Sequence, residues 1–129
     1  MKIVLWVAQG LLAVLFAGAG GMKVVMAKDS LVPLMPWVVD FSSGMVKVIG
    51  VLEVLGAAGL VLPALTLIAP VLTPIAATGL AVVMLGGGIV HIGRGEYPHS
   101  IGNLVVLALA VLVAWGRFGP YALAARNWG

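Results

Sequence analysis

The sequence predicts an all-α integral membrane protein, a four-helix bundle that forms a single domain over residues 1–129. Two observations lead to this prediction. Of the 129 residues, 63% are hydrophobic and only 9% are charged, whereas a soluble domain carries about 25% charged residues. The apolar residues also fall into four runs, each close to the roughly 20 residues that a helix needs to cross a bilayer. We therefore expect lipid to cover most of the protein surface.

The first predicted span covers residues 3–22, and a connecting segment rich in proline and polar residues follows it. This run is longer than the apolar part of a signal peptide, so we interpret it as a retained helix. Three further spans are predicted at about residues 44–62, 74–92 and 101–116. Pro63 is expected to end the second span, and Pro74 suits the first turn of the third. Arg117 is expected to end the fourth.

Four spans would leave both termini on the same side of the membrane. Aromatic residues fit this count, because they form one group at each predicted interface: Trp6, Trp115, Phe118, Tyr121 and Trp128 on the terminal side, and Trp37, Phe41 and Tyr97 on the other. Basic residues, Arg126 among them, are nearly balanced between the two sides, or slightly favour cytoplasmic loops. Several loop-side cations are candidate site residues, so we favour cytoplasmic termini.

One half of the predicted bundle receives a polar residue from every span. Glu53 lies about nine residues into the second span, where an ionisable side chain is costly and is expected to face the bundle interior. The other spans contribute polar residues at the same end: Lys23, His91, Arg94 and Asn103. The opposite half offers little beyond Gln9 and Thr66.

Two interpretations of this polar cluster stay open. In the functional one, Glu53 and His91 are catalytic proton-transfer residues, and a lipophilic ligand is bound by Lys23, Arg94 and Asn103. In the structural one, Glu53 holds helices together, Lys23 extends to the interface and His91 caps its helix. Small residues repeat every three positions around Glu53, which predicts that it faces a closely packed helix: Gly50, Gly56 and Gly59.

The sequence argues against several other kinds of site. The chain has no cysteine, which excludes intrinsic thiol–disulfide chemistry. We expect no metal or haem site, because the available ligand types have no recognisable spacing: Glu53, His91, Glu96 and His99. The seven Lys and Arg residues are scattered, so we expect no nucleic-acid partner. The glycines at 86–88 lack the Lys and Ser or Thr that follow a phosphate-binding loop.

Several segments resemble the DoxX-like family of small membrane proteins. The most distinctive is Gly50-x-x-Glu53-x-x-Gly56, which continues to Pro63. Other matching segments are Gly20–Lys23, Thr73–Ala77, His91-x-x-Arg94-x-Glu96 and Asn103–Phe118. This resemblance covers nearly the whole chain. It implies a four-helix protein of a prokaryotic plasma membrane.

The resemblance also implies a function. The family takes its name from a subunit of a thiosulfate:quinone oxidoreductase, which implies a redox-linked membrane subunit with quinone or another lipophilic ligand. Distant animal relatives imply instead a non-enzymatic assembly factor, partner-binding subunit or small transport component. A third hypothesis is acid–base catalysis on a lipophilic substrate by Glu53 and His91. Whether the chain is an enzyme stays open, and its expected partners are the lipid bilayer and a membrane protein or second copy.

Overall fold

The computed structural model of the chain describes residues 1–124, leaving out the side chain of His99. The predicted interface residue Trp128 and the terminal cation Arg126 lie outside this range. Within it, α2 (Lys28–Leu31) and a 3-10 helix (Pro36–Asp40) connect the first two long helices. The long helices are α1 (Lys2–Val25), α3 (Ser43–Thr66), α4 (Leu72–Gly93) and α5 (Tyr97–Phe118). All four could cross a membrane by length and composition, which confirms the predicted all-α bundle.

Local chemistry explains where several helices begin. The Ser42 hydroxyl oxygen accepts a hydrogen bond from the backbone N–H of Met45 at 3.1 Å, the usual arrangement of an N-cap serine. Pro74 lies in the first turn of α4, as predicted. Pro98 occupies the second position of α5, where a missing N–H costs nothing. This helix therefore begins at Tyr97, four residues before the predicted span.

The prediction that Pro63 ends the second span is wrong, because α3 continues to Thr66. Proline has no N–H to donate to the carbonyl four residues earlier, which belongs to Gly59. That carbonyl accepts instead from Oγ1 of Thr73 in α4, at 3.0 Å. A neighbouring helix thus replaces the missing hydrogen bond, and α3 ends only at Thr66, after which Leu67 adopts a left-handed φ of 57°.

The four long helices form a closed bundle in which α1 packs on α3, α3 on α4, α4 on α5, and α5 on α1. Leu5 of α1 packs directly on Gly116 of α5, so the first helix begins at the end of the bundle where the last one finishes. Large apolar residues remain on the outside, Ile3 for example being 80% exposed. An exterior of this kind suits lipid as the surrounding solvent, and the chain is a multi-pass membrane protein.

Two glycines allow α1 and α3 to approach closely. A Cβ atom on Gly20 would lie 2.7 Å from the carbonyl oxygen of Gly50, and a Cβ atom on Gly50 would lie 2.7 Å from that of Gly20. Neither distance is tolerated by a real side chain. The later members of the glycine series, Gly56 and Gly59, pack against α4 instead. The repeat of small residues therefore serves two different helix interfaces.

Candidate functional site

The buried centre of the site is an ion pair between Lys23 and Glu53. Each residue follows one of the two facing glycines, Gly20 and Gly50, by three positions, which carries both side chains into the same space. Lys23 Nζ donates to Oε1 of Glu53 at 2.5 Å, and the two residues are 6% and 1% exposed. Lys23 thus turns inward and does not extend to the interface, and Glu53 faces a neighbouring helix as predicted.

A cavity of about 360 Å³ lies beside this ion pair. Lys23, Glu53, His91 and Asn103 provide its polar lining, and the remaining walls are glycines and apolar side chains of α3 and α4 together with two aromatic rings. Its volume falls within the range of small-molecule sites, which are mostly apolar with a few polar groups. The cavity can therefore hold a lipophilic molecule that also carries a polar atom.

The two aromatic rings come from the segment between α1 and α3. Lys23 Nζ lies 5.5 Å from the centre of the Trp37 ring, a cation–π distance. Trp37 and Phe41 meet edge to face, with ring centres 5.5 Å apart. The segment is anchored by a small core of its own: Leu31, Val38 and Val46. The sequence predicted an interface location for both aromatic residues, and it carried no signal that they line a cavity.

A second ionic cluster joins the α4–α5 connection to the 3-10 helix. His91 Nδ1 donates to Oε1 of Glu96 at 2.9 Å, and Arg94 Nε lies 3.4 Å from the same oxygen. Arg94 Nη1 donates to Oδ2 of Asp40 at 2.6 Å. Glu96 and Asp40 were not predicted as site residues. The spacing His91-x-x-Arg94-x-Glu96 was a signal for the first, whereas nothing in the sequence pointed to Asp40.

The contacts of this cluster favour the charged forms of Glu96 and Arg94. The hydrogen bond from His91 lowers the pKa of Glu96, and the charge of Arg94 acts in the same direction. The hydrogen bond to Asp40 raises the pKa of Arg94. The connection between α4 and α5 therefore presents fixed charges at neutral pH, next to the polar side of the cavity where His91 stands.

Asn103 fastens α5 to α4. Its Nδ2 donates to the carbonyl oxygen of Met84 at 2.8 Å, and it lies against Gly87, where a Cβ would approach that nitrogen to 2.8 Å. Its predicted role in ligand binding stays a prediction. Of the predicted site residues, Arg94 does not line the cavity and reaches it only through Glu96 and His91. Among the described residues, no three His, Asp or Glu side chains are grouped as metal ligands.

The opposite half of the bundle is more polar than the sequence indicated. Arg117 lies in the last turn of α5, one residue before the helix ends at Phe118 and close to the predicted end of the fourth span, and it is only 4% exposed. Its Nε donates to Oε1 of Gln9 at 2.7 Å, while Gln9 Nε2 donates to the carbonyl oxygen of Leu60, also at 2.7 Å. Gln9 offers an acceptor inside the bundle and draws the guanidinium inward, whereas Thr66 bonds only to backbone groups close by in sequence, those of Leu62 and Ile68.

The comparison with protein families yields one match. The model of the DoxX-like family matches residues 7–113, a stretch that runs from α1 into the second half of α5 and includes every predicted site residue. The resemblance noted around Glu53 is thereby confirmed over most of the chain. No curated protein and no solved structure matches the chain.

Proposed function

The chain belongs to the DoxX-like family, and on this premise we propose that it is a redox-linked membrane subunit that binds quinone or another lipophilic molecule beside Lys23 and Glu53. The observation that carries the proposal is a largely apolar cavity of about 360 Å³ with a buried ion pair in its wall. Ionisable residues inside a membrane protein are costly and mark functional sites. Two of them in one cavity wall favour a ligand that needs hydrogen bonds or protons.

The polar wall suits a ligand with a carbonyl or hydroxyl oxygen. The Lys23 ammonium has three N–H donors and uses one of them on Glu53. The others can donate to an oxygen atom in the cavity, while the Trp37 and Phe41 rings offer apolar surfaces for a flat ring system. Asn103 lines the cavity and joins α5 to α4 through its bond to Met84.

The proposed redox role divides proton handling between two groups of residues. A quinone, when bound, supplies chemistry that consumes two electrons and two protons, with the electrons coming from a partner redox protein. Lys23 donates a hydrogen bond to the ligand oxygen, and the Glu53 carboxylate beside it relays protons. His91 lines the cavity and is hydrogen-bonded to Glu96, which contacts Arg94 nearer the surface. We assign to His91 the exchange of protons between the cavity and the solvent.

A non-enzymatic role is the second candidate: an assembly factor, a partner-binding subunit or a small transport component. It is favoured by exposed apolar residues in the segment between α1 and α3, for example Leu34, which is 61% exposed. A membrane partner that covers this segment would also cover the aromatic side of the cavity. Acid–base catalysis by Glu53 and His91 on a lipophilic substrate remains the third hypothesis.

We further propose that the protein resides in a prokaryotic plasma membrane with both termini in the cytoplasm. The positive-inside rule counts flanking Lys and Arg residues. On the loop side, Lys23 and Arg94 form ion pairs. Their positions are therefore set by the site and say little about which side of the membrane is cytoplasmic. This supports the cytoplasmic assignment of the termini.

Mass spectrometry of the protein purified in native lipid tests the proposal. We expect the wild type to retain a lipophilic oxygen-bearing molecule in stoichiometric amount, and Glu53→Gln to lose about nine-tenths or more of it, because a charge-assisted contact is worth about 1.5–3 kcal/mol. Lys47→Gln is the matched control, since Lys47 is an exposed residue of α3 that donates to the carbonyl of Val24 and does not line the cavity.

The same measurement separates the candidate functions. A stoichiometric membrane protein in the sample without any small molecule would replace the ligand-binding proposal by the partner-binding one. Equal retention of ligand by wild type and Glu53→Gln would remove Glu53 from the site. All variants are compared only as folded, monodisperse samples.

A further inference from the structure

Arg117 carries a charge for which the described chain provides no carboxylate. The protein has four Asp and Glu residues, and all of them lie toward the end of the bundle opposite Arg117: Asp29, Asp40, Glu53 and Glu96. Three of these four already form ion pairs with Lys23, His91 or Arg94. The guanidinium in the last turn of α5 therefore has no acidic side chain within reach.

The hydrogen bonds of Arg117 leave part of the guanidinium unsatisfied. The group has five N–H donors, of which Nε donates to Gln9 and Nη1 donates to the carbonyl oxygen of Tyr121 at 2.9 Å. Nη2 is buried and has no hydrogen-bond partner, a state that no other buried side-chain nitrogen or oxygen among the described residues shares. Both partners of Arg117 are neutral, so they do not compensate its charge. A buried charge without a counter-ion is costly.

Aromatic residues lie near Arg117 at this end of the bundle. Its guanidinium carbon lies 5.3 Å from the centre of the Trp6 ring. Trp115 and Tyr121 pack edge to face, with ring centres 6.1 Å apart. Trp and Tyr side chains concentrate at the level of the lipid headgroups. We therefore expect the unsatisfied donors of Arg117 to lie at the depth of the lipid headgroups.

We propose that Arg117 is the centre of a second ligand site, separate from the cavity at Lys23 and Glu53, and that this site binds an oxyanion of the phosphate class. Nη2 and the second hydrogen of Nη1 form the paired donors that suit two oxygens of one phosphate. Gln9 is a positioning residue, because the bond of its Nε2 to Leu60 turns its oxygen toward the guanidinium. In the membrane, a lipid headgroup supplies the anion.

Lipid binding to the full chain tests this site. The protein is delipidated in an uncharged detergent, and native mass spectrometry and the melting temperature are followed as phosphatidylglycerol, diacylglycerol or inorganic phosphate is added. We expect one phosphatidylglycerol to bind saturably and to raise the melting temperature, and diacylglycerol with the same acyl chains to do neither. Arg117→Gln should weaken this binding about tenfold or more.

Lys2→Gln is the matched control, because Lys2 is an exposed cation at the same end of the bundle. It should bind phosphatidylglycerol as the wild type does. If inorganic phosphate competes with phosphatidylglycerol, the site recognises the phosphate group itself. If inorganic phosphate does not compete, the site recognises the lipid headgroup. Equal binding of phosphatidylglycerol and diacylglycerol by the wild type, or unchanged binding by Arg117→Gln, would overturn the proposal. Should Arg117→Gln not fold, the two wild-type lipid titrations decide alone.

Discussion

Lys23 and Glu53, thirty residues apart in the chain, form one hydrogen-bonded ion pair in the interior of the bundle. The pair exists because α1 and α3 approach each other without side chains at Gly20 and Gly50. Its stability and that of the helix contact therefore depend on each other. Two of the predictions below separate these contributions.

Removing both partners of the buried pair should lower the free energy of unfolding by less than the sum of the two single losses. Glu53→Gln or Lys23→Met leaves one buried residue without its partner, and we expect each to lower the free energy of unfolding by about 3 kcal/mol. The double variant should lose clearly less than the sum, because no uncompensated charge remains. Denaturation by sodium dodecyl sulfate in micelles measures all three. Strictly additive losses would show that the pair is not coupled.

Close helix approach should fail when a methyl group is added at Gly50. The new Cβ of Gly50→Ala would lie 2.7 Å from backbone and from the Cβ of Lys23, so α1 and α3 must separate. We expect a loss of about 1–3 kcal/mol in the free energy of unfolding. Gly18→Ala is the control, since nothing lies within 4 Å of its Cβ and alanine favours helix. A neutral Gly50→Ala would contradict this helix contact.

The hydrogen bond from Thr73 to Gly59 should matter because of Pro63. Thr73→Val keeps the shape of the side chain and removes the donor, which we expect to destabilise the protein by about 1 kcal/mol. In a Pro63→Ala background the carbonyl of Gly59 can accept from the new backbone N–H at position 63. The cost of Thr73→Val should then fall to near zero in the same unfolding assay. An unchanged cost would mean that Thr73 acts only by packing.

The pH dependence of stability should report on Glu96. Its pKa is lowered below the ordinary value of 4.5, first by the hydrogen bond from His91. A carboxylate of this kind stabilises the fold above its unfolded pKa, and the contribution disappears as pH falls through the lower folded pKa. The melting temperature of the wild type should therefore exceed that of Glu96→Gln at about pH 6 and approach it below about pH 4. A gap that widens on acidification would disprove this assignment.

Membrane orientation can be read by thiol labelling, because the chain has no cysteine of its own. Ser30→Cys places a thiol in the exposed α2 segment, and Lys2→Cys places one at the start of α1. With cytoplasmic termini, a membrane-impermeant maleimide should label Ser30→Cys in intact cells and should label Lys2→Cys only after lysis. The reverse pattern would invert the proposed orientation.

Hydrophobic patterning by itself determined the fold class and the number of spans. Four apolar runs in a chain with so few charges have one stable arrangement in lipid, since each backbone polar group must be satisfied within its helix. The depth of Glu53 in the second run likewise indicated that it faces the interior. The family resemblance rested on the same segment, because its glycines and glutamate are the least generic residues of the chain.

The tertiary structure alone decided which polar groups meet. Whether Lys23 points to the interface or to Glu53, and whether Arg117 points to the interface or to Gln9, depends on the faces that two distant helices present to each other. Asp40 and Thr73 acquired their partners in the same way, from segments far apart in sequence. A single sequence shows the period of a helix, but the rotation of each helix about its axis is set by packing against its neighbours, and that rotation determines every partner in the polar clusters.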